Sequence, residues 1–283
     1  MNSVDVFARS DIGLVRSNNE DAFLVIPPWR DQAISNGVCC FAVADGMGGH
    51  KYGEIAAKLA MDCLKTWLRK SSMIKGLSKL STSLVEEIFG NANSAIWEFT
   101  QSHPETHGMG TTFTLALVKN DQLLLGHVGD SRAYLLRNSK LQQLTRDHSF
   151  AAEQVRLGFL TKEQAQTHPA RNYLIRAMGV REFITPDSEI IDLQPGDTFI
   201  LCSDGIYNQV PEEQIQRGLE NTYLDEIPKL LIKDSIKAGG KDNATAVIFR
   251  FNEVPVSFPG QFSFSRFKAC ISEWWQGTKI LSF

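Results

Sequence analysis

Apolar residues run without a break over 38–44 and stop at Asp45, followed by Gly46-Met47-Gly48-Gly49-His50. A run with no polar alternation predicts a strand buried on both faces, and the glycines predict a sharp turn after it. From Gly53 the period changes. Ile55, Ala56, Leu59, Ala60, Cys63, Leu64, Trp67 and Leu68 fall on one helical stripe with polar residues opposite. Leu84, Val85, Ile88, Ala92, Ala95, Ile96 and Phe99 form a second stripe. The spacing therefore predicts an antiparallel helix pair covering a sheet, with Trp67 and Trp97 facing the core. Upstream, residues 4–8 alternate as a first strand, and 22–26 form a second that ends at Pro27-Pro28. Downstream, 113–118, 123–128 and 133–136 are short strands. The breaks between them, Lys119-Asn120-Asp121-Gln122 and Gly129-Asp130-Ser131-Arg132, carry turn chemistry and predict an antiparallel meander. Residues 146–179 are polar and irregular, with a short helix ending near Gly158 and a capping box at Thr161 and Gln164. They read as a surface flap. Apolar 198–202 then runs into Ser203-Asp204-Gly205, repeating the strand-Asp-Gly pattern. Pro211-Glu212-Glu213 opens a helix, Leu224, Ile227, Leu230 and Leu231 mark another, and 244–251 is a last buried strand.

With 283 residues, 43% hydrophobic and 22% charged, the chain can bury a large core as one big domain or two small ones. A net charge of −3 gives no overall affinity for nucleic acid. Phosphate binding would then fall to a local arginine or to metal ions. The five cysteines are odd in number, show no zinc spacing, and mostly sit in apolar strand or helix patterns. A reduced, cytoplasmic protein is expected. The N-terminus lacks the basic and apolar regions of a signal peptide, and no stretch has the apolar length of a transmembrane helix.

Asp45, Asp130, Asp204 and Asp242 each lie beside an expected strand end, and three of these four adjoin a glycine. Aspartates gathered at the strand ends of one sandwich repel one another unless cations separate them. Carboxylate and carbonyl donors without histidine or cysteine suit Mg²⁺ or Mn²⁺ rather than zinc. Two such ions side by side can activate a shared water and grip a phosphoryl group. The polar loop after Gly13 adds Arg16, suited to a bidentate phosphate contact, and the neighbouring acids Glu20 and Asp21.

Seven blocks then carry a resemblance: Val15-Arg16-Ser17-Asn18-Asn19-Glu20-Asp21, Val43-Ala44-Asp45-Gly46-Met47-Gly48-Gly49, Gly110-Thr111-Thr112, Val128-Gly129-Asp130-Ser131-Arg132, Leu144-Thr145-Arg146-Asp147-His148, Leu201-Cys202-Ser203-Asp204-Gly205 and Asp242-Asn243-Ala244-Thr245. In this order, over roughly residues 4–251, the sequence resembles the PPM family, the metal-dependent serine/threonine phosphatases of the protein phosphatase 2C class, bacterial type. The resemblance implies an α+β fold: an α-β-β-α four-layer sandwich, two packed antiparallel sheets flanked by helix pairs, with a flap insertion at about 146–179. It implies Mn²⁺ or Mg²⁺, two ions tight and a third weaker. Asp45 would bridge the tight pair, with the Gly46 carbonyl on the second ion and Asp204 and Asp242 on the first. Glu20 and Asp21 would sit near the second ion, partly through waters, and Asp130 would join Asp204 at the third. Arg16 would hold the substrate phosphate, and Thr112 and Asn243 would support the site. The implied reaction is hydrolysis of phosphoserine and phosphothreonine in proteins by a metal-bridging hydroxide, with no phosphoenzyme, and the implied partners are substrates of a serine/threonine kinase.

One position departs from the pattern. Animal-type members carry a histidine, their proposed general acid, two residues after the bridging aspartate, where this chain has Met47. The proton for the leaving alkoxide then comes from a metal-bound water, or from His50 or His148, both of which read first as structural. The rival functions are a catalytically silent binding module of the same fold and a metallohydrolase of small phosphoesters.

The catalytic domain is expected over 1–251, and 252–283 form an aromatic-rich tail. Phe267, Ile271, Trp274 and Trp275 fall at helical spacing and are too apolar for a solvated linker. The tail is expected to dock on its own domain or on a partner. A membrane surface is the weakest reading, because only Arg266, Lys268 and Lys279 supply positive charge.

Overall fold

The unbroken apolar run lies at the centre of the protein. In a computed structural model describing residues 3–27, 38–48, 52–70 and 80–252, it belongs to β3 (Cys39–Met47). Alternate side chains of this strand serve two cores. Cys40, Ala42 and Ala44 face the helices α1 (Tyr52–Lys70) and α2 (Ser83–Ser102), while Cys39, Phe41 and Val43 face a second sheet. Both faces are dry, so the period-two alternation of a half-exposed strand has nothing to report.

Beside β3 lie β2 (Asp21–Ile26) and β5 (Phe113–Lys119), followed by β6 (Gln122–Val128) and β9 (Asp187–Asp192), in the order β2-β3-β5-β6-β9. A two-residue β4 (Gly110–Thr111) pairs with the end of β3. The second sheet has the order β1-β11-β10-β7-β8: Ser3–Asp11, Ala244–Asn252, Thr198–Cys202, Arg132–Arg137 and Lys140–Gln143. All the pairings are antiparallel. Phe41 stacks on Phe249 across the sheets at 4.4 Å between ring centroids, and Phe249 on Phe199 at 4.9 Å. The outer face of the second sheet is covered by α5 (Asp204–Tyr207), α6 (Glu212–Asn221) and α7 (Ile227–Lys237). Two short helices, α3 (Phe150–Arg156) and α4 (Lys162–Thr167), lie in the flap, and the second has both hydrogen bonds of the capping box at Thr161 and Gln164. The order of layers is helix, sheet, sheet, helix, as the resemblance implied.

Four expectations need correction. The turn after Asp45 begins later, because β3 continues through Asp45 and Gly46 to Met47. Asp21 pairs with Asp45, Thr111 with Gly46 and Gly110 with Met47, so remote segments extend the ladder. The meander fails at Gly129-Asp130-Ser131. β6 ends in one sheet and β7 begins in the other, and Gly129 at φ +111° makes the crossover. Trp97 is only half-buried and lines an outer groove with Phe183 instead of facing the core. Finally, β8 and β9 are additional strands at sheet edges, where polar residues are tolerated and leave little apolar signal.

Cys39, Cys40 and Cys202 are buried free thiols, and Cys63 is half-buried and free. Burial pushes the Cys39 and Cys202 thiols up to about 12, which makes them small core hydrophobes. Among the described residues no helix is long and apolar enough to cross a membrane. His50, Cys270 and the tail beyond Asn252 lie outside the described residues.

Candidate active site

A cleft of about 400 Å³ opens where the ends of the two sheets meet. Five separate chain segments supply its acids. The loop before β2 brings Arg16 and Glu20, and the end of β3 brings Asp45 and Gly46. The β6–β7 crossover brings Asp130, the start of α5 brings Asp204, and the loop before β11 brings Asp242 and Asn243. Thr112 also lines the cleft. Asp21 sits behind the wall. Its Oδ2 accepts from Ser203 Oγ at 2.7 Å and Thr245 Oγ1 at 2.6 Å.

These side chains are held from below. The Asp45 N–H donates to Thr112 Oγ1 at 2.8 Å, and the Thr112 N–H returns a bond to the Asp45 carbonyl at 2.9 Å. Thr112 and Ser131 hydroxyls are 2.7 Å apart, which ties Asp45 to the Asp130 segment. Asn243 stitches the entry loop: its Oδ1 accepts from the Glu20 N–H at 2.8 Å, and its Nδ2 donates to the carbonyls of Ile12 and Asn18. Asp204 Oδ2 accepts from Asn208 Nδ2 at 3.0 Å, and Tyr207 OH donates to the Asp130 carbonyl at 2.9 Å. Arg16, half-exposed at the mouth, donates to Asp242 Oδ2 at 2.7 Å.

So many carboxylates in one cleft disturb each other. Burial first, then Asp21, Asp204, Asp130 and Asp242, holds the Asp45 carboxyl well above the usual range. Asp204 is raised by burial and then by Asp130 and Asp242. Burial, aided by Asp147 and opposed by Arg132, pushes Asp130 up to about 7. Burial also raises Asp21, to about 6, against the two hydroxyls that favour its charged form. Positive charge in the cleft would relieve all four.

The donor set fits hard divalent cations. The cleft offers carboxylates and the backbone of Gly46, and no histidine or cysteine among the described residues lines it. Asp21 Oδ1 is a buried acceptor without a partner, and such an atom calls for a cation or a water. Among the described residues no three acidic, histidine or cysteine groups close on one point as a ready-made cage. Ions that keep several of their waters need only one or two carboxylates each, which suits acids spaced along a wall.

Three further features had no clear sequence signal. Asn172 and Leu174 reach the cleft from the flap, where irregular composition hides them, and Asn208 braces Asp204 from one turn away. Met47 occupies the cleft at the position of the family histidine, and His148 does not line it. Both ring nitrogens of His148 are engaged elsewhere, Nδ1 with the Gly129 N–H and Nε2 with Asp187. That removes His148 as a general acid.

Beside it, His127 is buried between Thr114 Oγ1, 2.9 Å from Nδ1, and the Gly129 carbonyl, 3.0 Å from Nε2. Burial, then His148, lowers its pKa from 6.5 to about 3. The unfolded imidazole takes up a proton at higher pH than the folded one, so this contribution is complete above 6.5 and is lost as pH falls towards 3. The stability difference between wild type and His127→Gln is therefore expected to shrink by about 2 kcal/mol from pH 7 to pH 5. Urea unfolding of both proteins checks this, and a constant difference would contradict it.

A sequence model described as Protein phosphatase 2C matches residues 15–231. The chain is 36% identical over 245 residues to the serine/threonine phosphatase stp of Listeria welshimeri, covering 86% of this chain and 94% of that protein. A solved catalytic domain of the serine/threonine protein phosphatase PstP in complex with two manganese ions superposes with a TM-score of 0.77 at 33% identity, covering 89% of this chain and all of that one. Stp1 of Staphylococcus aureus gives a TM-score of 0.79 at 30% identity, over 89% of this chain and 96% of that one. On sequence and on fold, the chain belongs to the protein phosphatase 2C family.

Proposed function

We propose that this chain is a cytoplasmic phosphatase that hydrolyses phosphoserine and phosphothreonine in proteins phosphorylated by a serine/threonine kinase, using Mn²⁺ or Mg²⁺ held in the carboxylate cleft. One observation carries the reading: five segments distant in sequence converge their acids on one cleft that also has an arginine at its mouth. Asp45, the Gly46 carbonyl, Asp204 and Asp242 would hold the tight pair of ions. Glu20 and Asp21 would act partly through waters, and Asp130 with Asp204 would hold a weaker third. Bound there, divalent ions supply an acidified water and positive charge against the phosphoryl oxygens.

The chain's own residues do the rest. Arg16 grips and orients the phosphate, and Asn243 keeps its loop in place through Asn18 and Ile12. Thr112 fixes the backbone of Asp45. Asn172 and Leu174 form the flap side of the cleft, against which the substrate segment rests. Residues 1–251 form the catalytic domain and 252–283 an appended tail. A silent binding module is disfavoured, since Glu20, Asp45, Asp130, Asp204 and Asp242 all line one cleft.

The test is turnover of a phosphothreonine peptide and of a nucleotide monophosphate, with Mn²⁺ and after chelation. Metal-dependent turnover with the peptide preferred supports the reading. A folded protein inert on both, or one that prefers the nucleotide, overturns it. Arg16→Ala is expected to raise KM more than it lowers kcat, by about 2 kcal/mol or roughly thirtyfold, because a charged phosphate contact is lost. An unchanged KM would leave Arg16 as a partner of Asp242 only.

A further inference from the structure

His148 is 1% exposed and sits where the flap leaves the second sheet. Its backbone N–H donates to the Gly129 carbonyl at 2.7 Å, and its Nδ1 accepts from the Gly129 N–H at 3.1 Å. One residue thus holds both backbone polar groups of Gly129. On its other side, Nε2 lies 3.1 Å from Asp187 Oδ2, and its carbonyl accepts from the Ile175 N–H at 2.8 Å. Arg176 holds Asp187 Oδ1 at 2.7 Å.

These partners fix the tautomer. A backbone N–H can only donate, so Nδ1 must be a bare acceptor and the ring proton must sit on Nε2, facing a carboxylate. Neither nitrogen is free to exchange protons with the cleft. The ring instead joins two pieces of the site. Gly129, in a backbone conformation that other residues rarely adopt, sets the direction of Asp130. The segment around Leu174 pairs with Ser149 and forms the flap side of the cleft.

We propose that His148 is a positioning residue: it locks the Gly129 peptide, and through it Asp130, in register with the flap segment that carries Leu174 to the cleft. The part concerning Asp130 rests on the proposed cation-binding role of that residue. The link to the flap does not.

The test separates the two ends of the ring. His148→Asn keeps an acceptor where Nδ1 stood but falls short of Asp187. His148→Gln reaches Asp187 but leaves the Gly129 N–H unpaired. With His148→Gln, the weakest Mn²⁺ step seen by calorimetry should weaken roughly tenfold, the scale for losing a group that orients a ligand. Turnover of p-nitrophenyl phosphate should fall with it. With His148→Asn, both losses should be much smaller, while KM for a phosphopeptide rises several-fold. Equal losses in the two variants would reduce His148 to packing and overturn the proposal. Should neither variant fold, Asp187→Ala removes the acceptor shared by His148 Nε2 and Arg176 and leaves both Gly129 bonds in place: a higher phosphopeptide KM supports the proposal, and an unchanged one overturns it. In the wild-type protein, ¹⁵N NMR should show the Nε2–H tautomer of His148 at neutral pH, and the Nδ1–H tautomer or an imidazolium would overturn the lock on Gly129. If Asp130→Ala binds Mn²⁺ like wild type, the cation role of Asp130 fails, while the tautomer and the phosphopeptide KM still decide the flap link.

Discussion

Asp204→Asn and Asp45→Asn are each expected to lower turnover at saturating Mn²⁺ by at least about a thousandfold while leaving the cation-free protein as stable as wild type or more so. The two halves of this result have one cause. Asp204 is buried and Asp45 partly so, and this burial, with crowding by like charges, holds both carboxyls well above their usual range. With no cation bound, that crowding costs folding free energy, and a neutral amide removes part of it. Under the proposed function, the same substitution would also take a charged ligand from the ions that offset phosphate. Their charge stabilisation is worth several kcal/mol, and about 4 kcal/mol corresponds to a thousandfold. Thermal melts in chelator and in Mn²⁺ separate the effects. Melting in chelator should hold or rise, and the Mn²⁺-induced increase should shrink. Substantial activity in either folded variant, or a large drop in the chelator melt, would contradict the account.

Gly46→Ala is expected to be among the most damaging changes of a single methyl group. A Cβ at Gly46 would overlap the backbone carbonyl of Gly53, at the start of α1, and come within 2.8 Å of the Glu20 carbonyl. None of these atoms can rotate away, so either α1 or the end of β3 must move. Overpacking of this kind costs about 3 kcal/mol. Because Asp45 is the neighbouring residue, surviving protein should also lose activity. The control is Gly90→Ala in α2, where a Cβ meets nothing within 4 Å. That change should be neutral or stabilise by up to about 1 kcal/mol, from helix propensity. Urea denaturation of both variants would show the contrast, and similar small effects would mean that α1 does not constrain β3.

Much of the architecture was legible because strong periodicities decide it. The stripe from Ile55 to Leu68 became α1, and 113–118 and 123–128 became β5 and β6 almost to the residue. What stayed hidden is set by partners distant in the chain. Nothing local shows that Asp45 and Gly46 remain in a strand, because Asp21 and Thr111 supply the ladder. Nothing in Gly129-Asp130-Ser131 distinguishes a hairpin from a crossing between sheets, since either needs a glycine at positive φ. The acids of the cleft were legible as repeated strand-Asp-Gly patterns and, more strongly, as ordered blocks resembling one family. Asn172, Leu174 and Asn208 were not, because each works through a contact made only by the fold. The pairing of Arg16 with Asp242, 226 positions apart, is of the same kind.

Anomalous diffraction from crystals of the protein grown with Mn²⁺ would show directly whether the carboxylate cleft holds divalent cations. At least two manganese peaks are expected in the cleft, in contact with Asp45, the Gly46 carbonyl, Asp204 and Asp242. A cleft without manganese density in crystals of active protein at saturating Mn²⁺ would contradict that expectation.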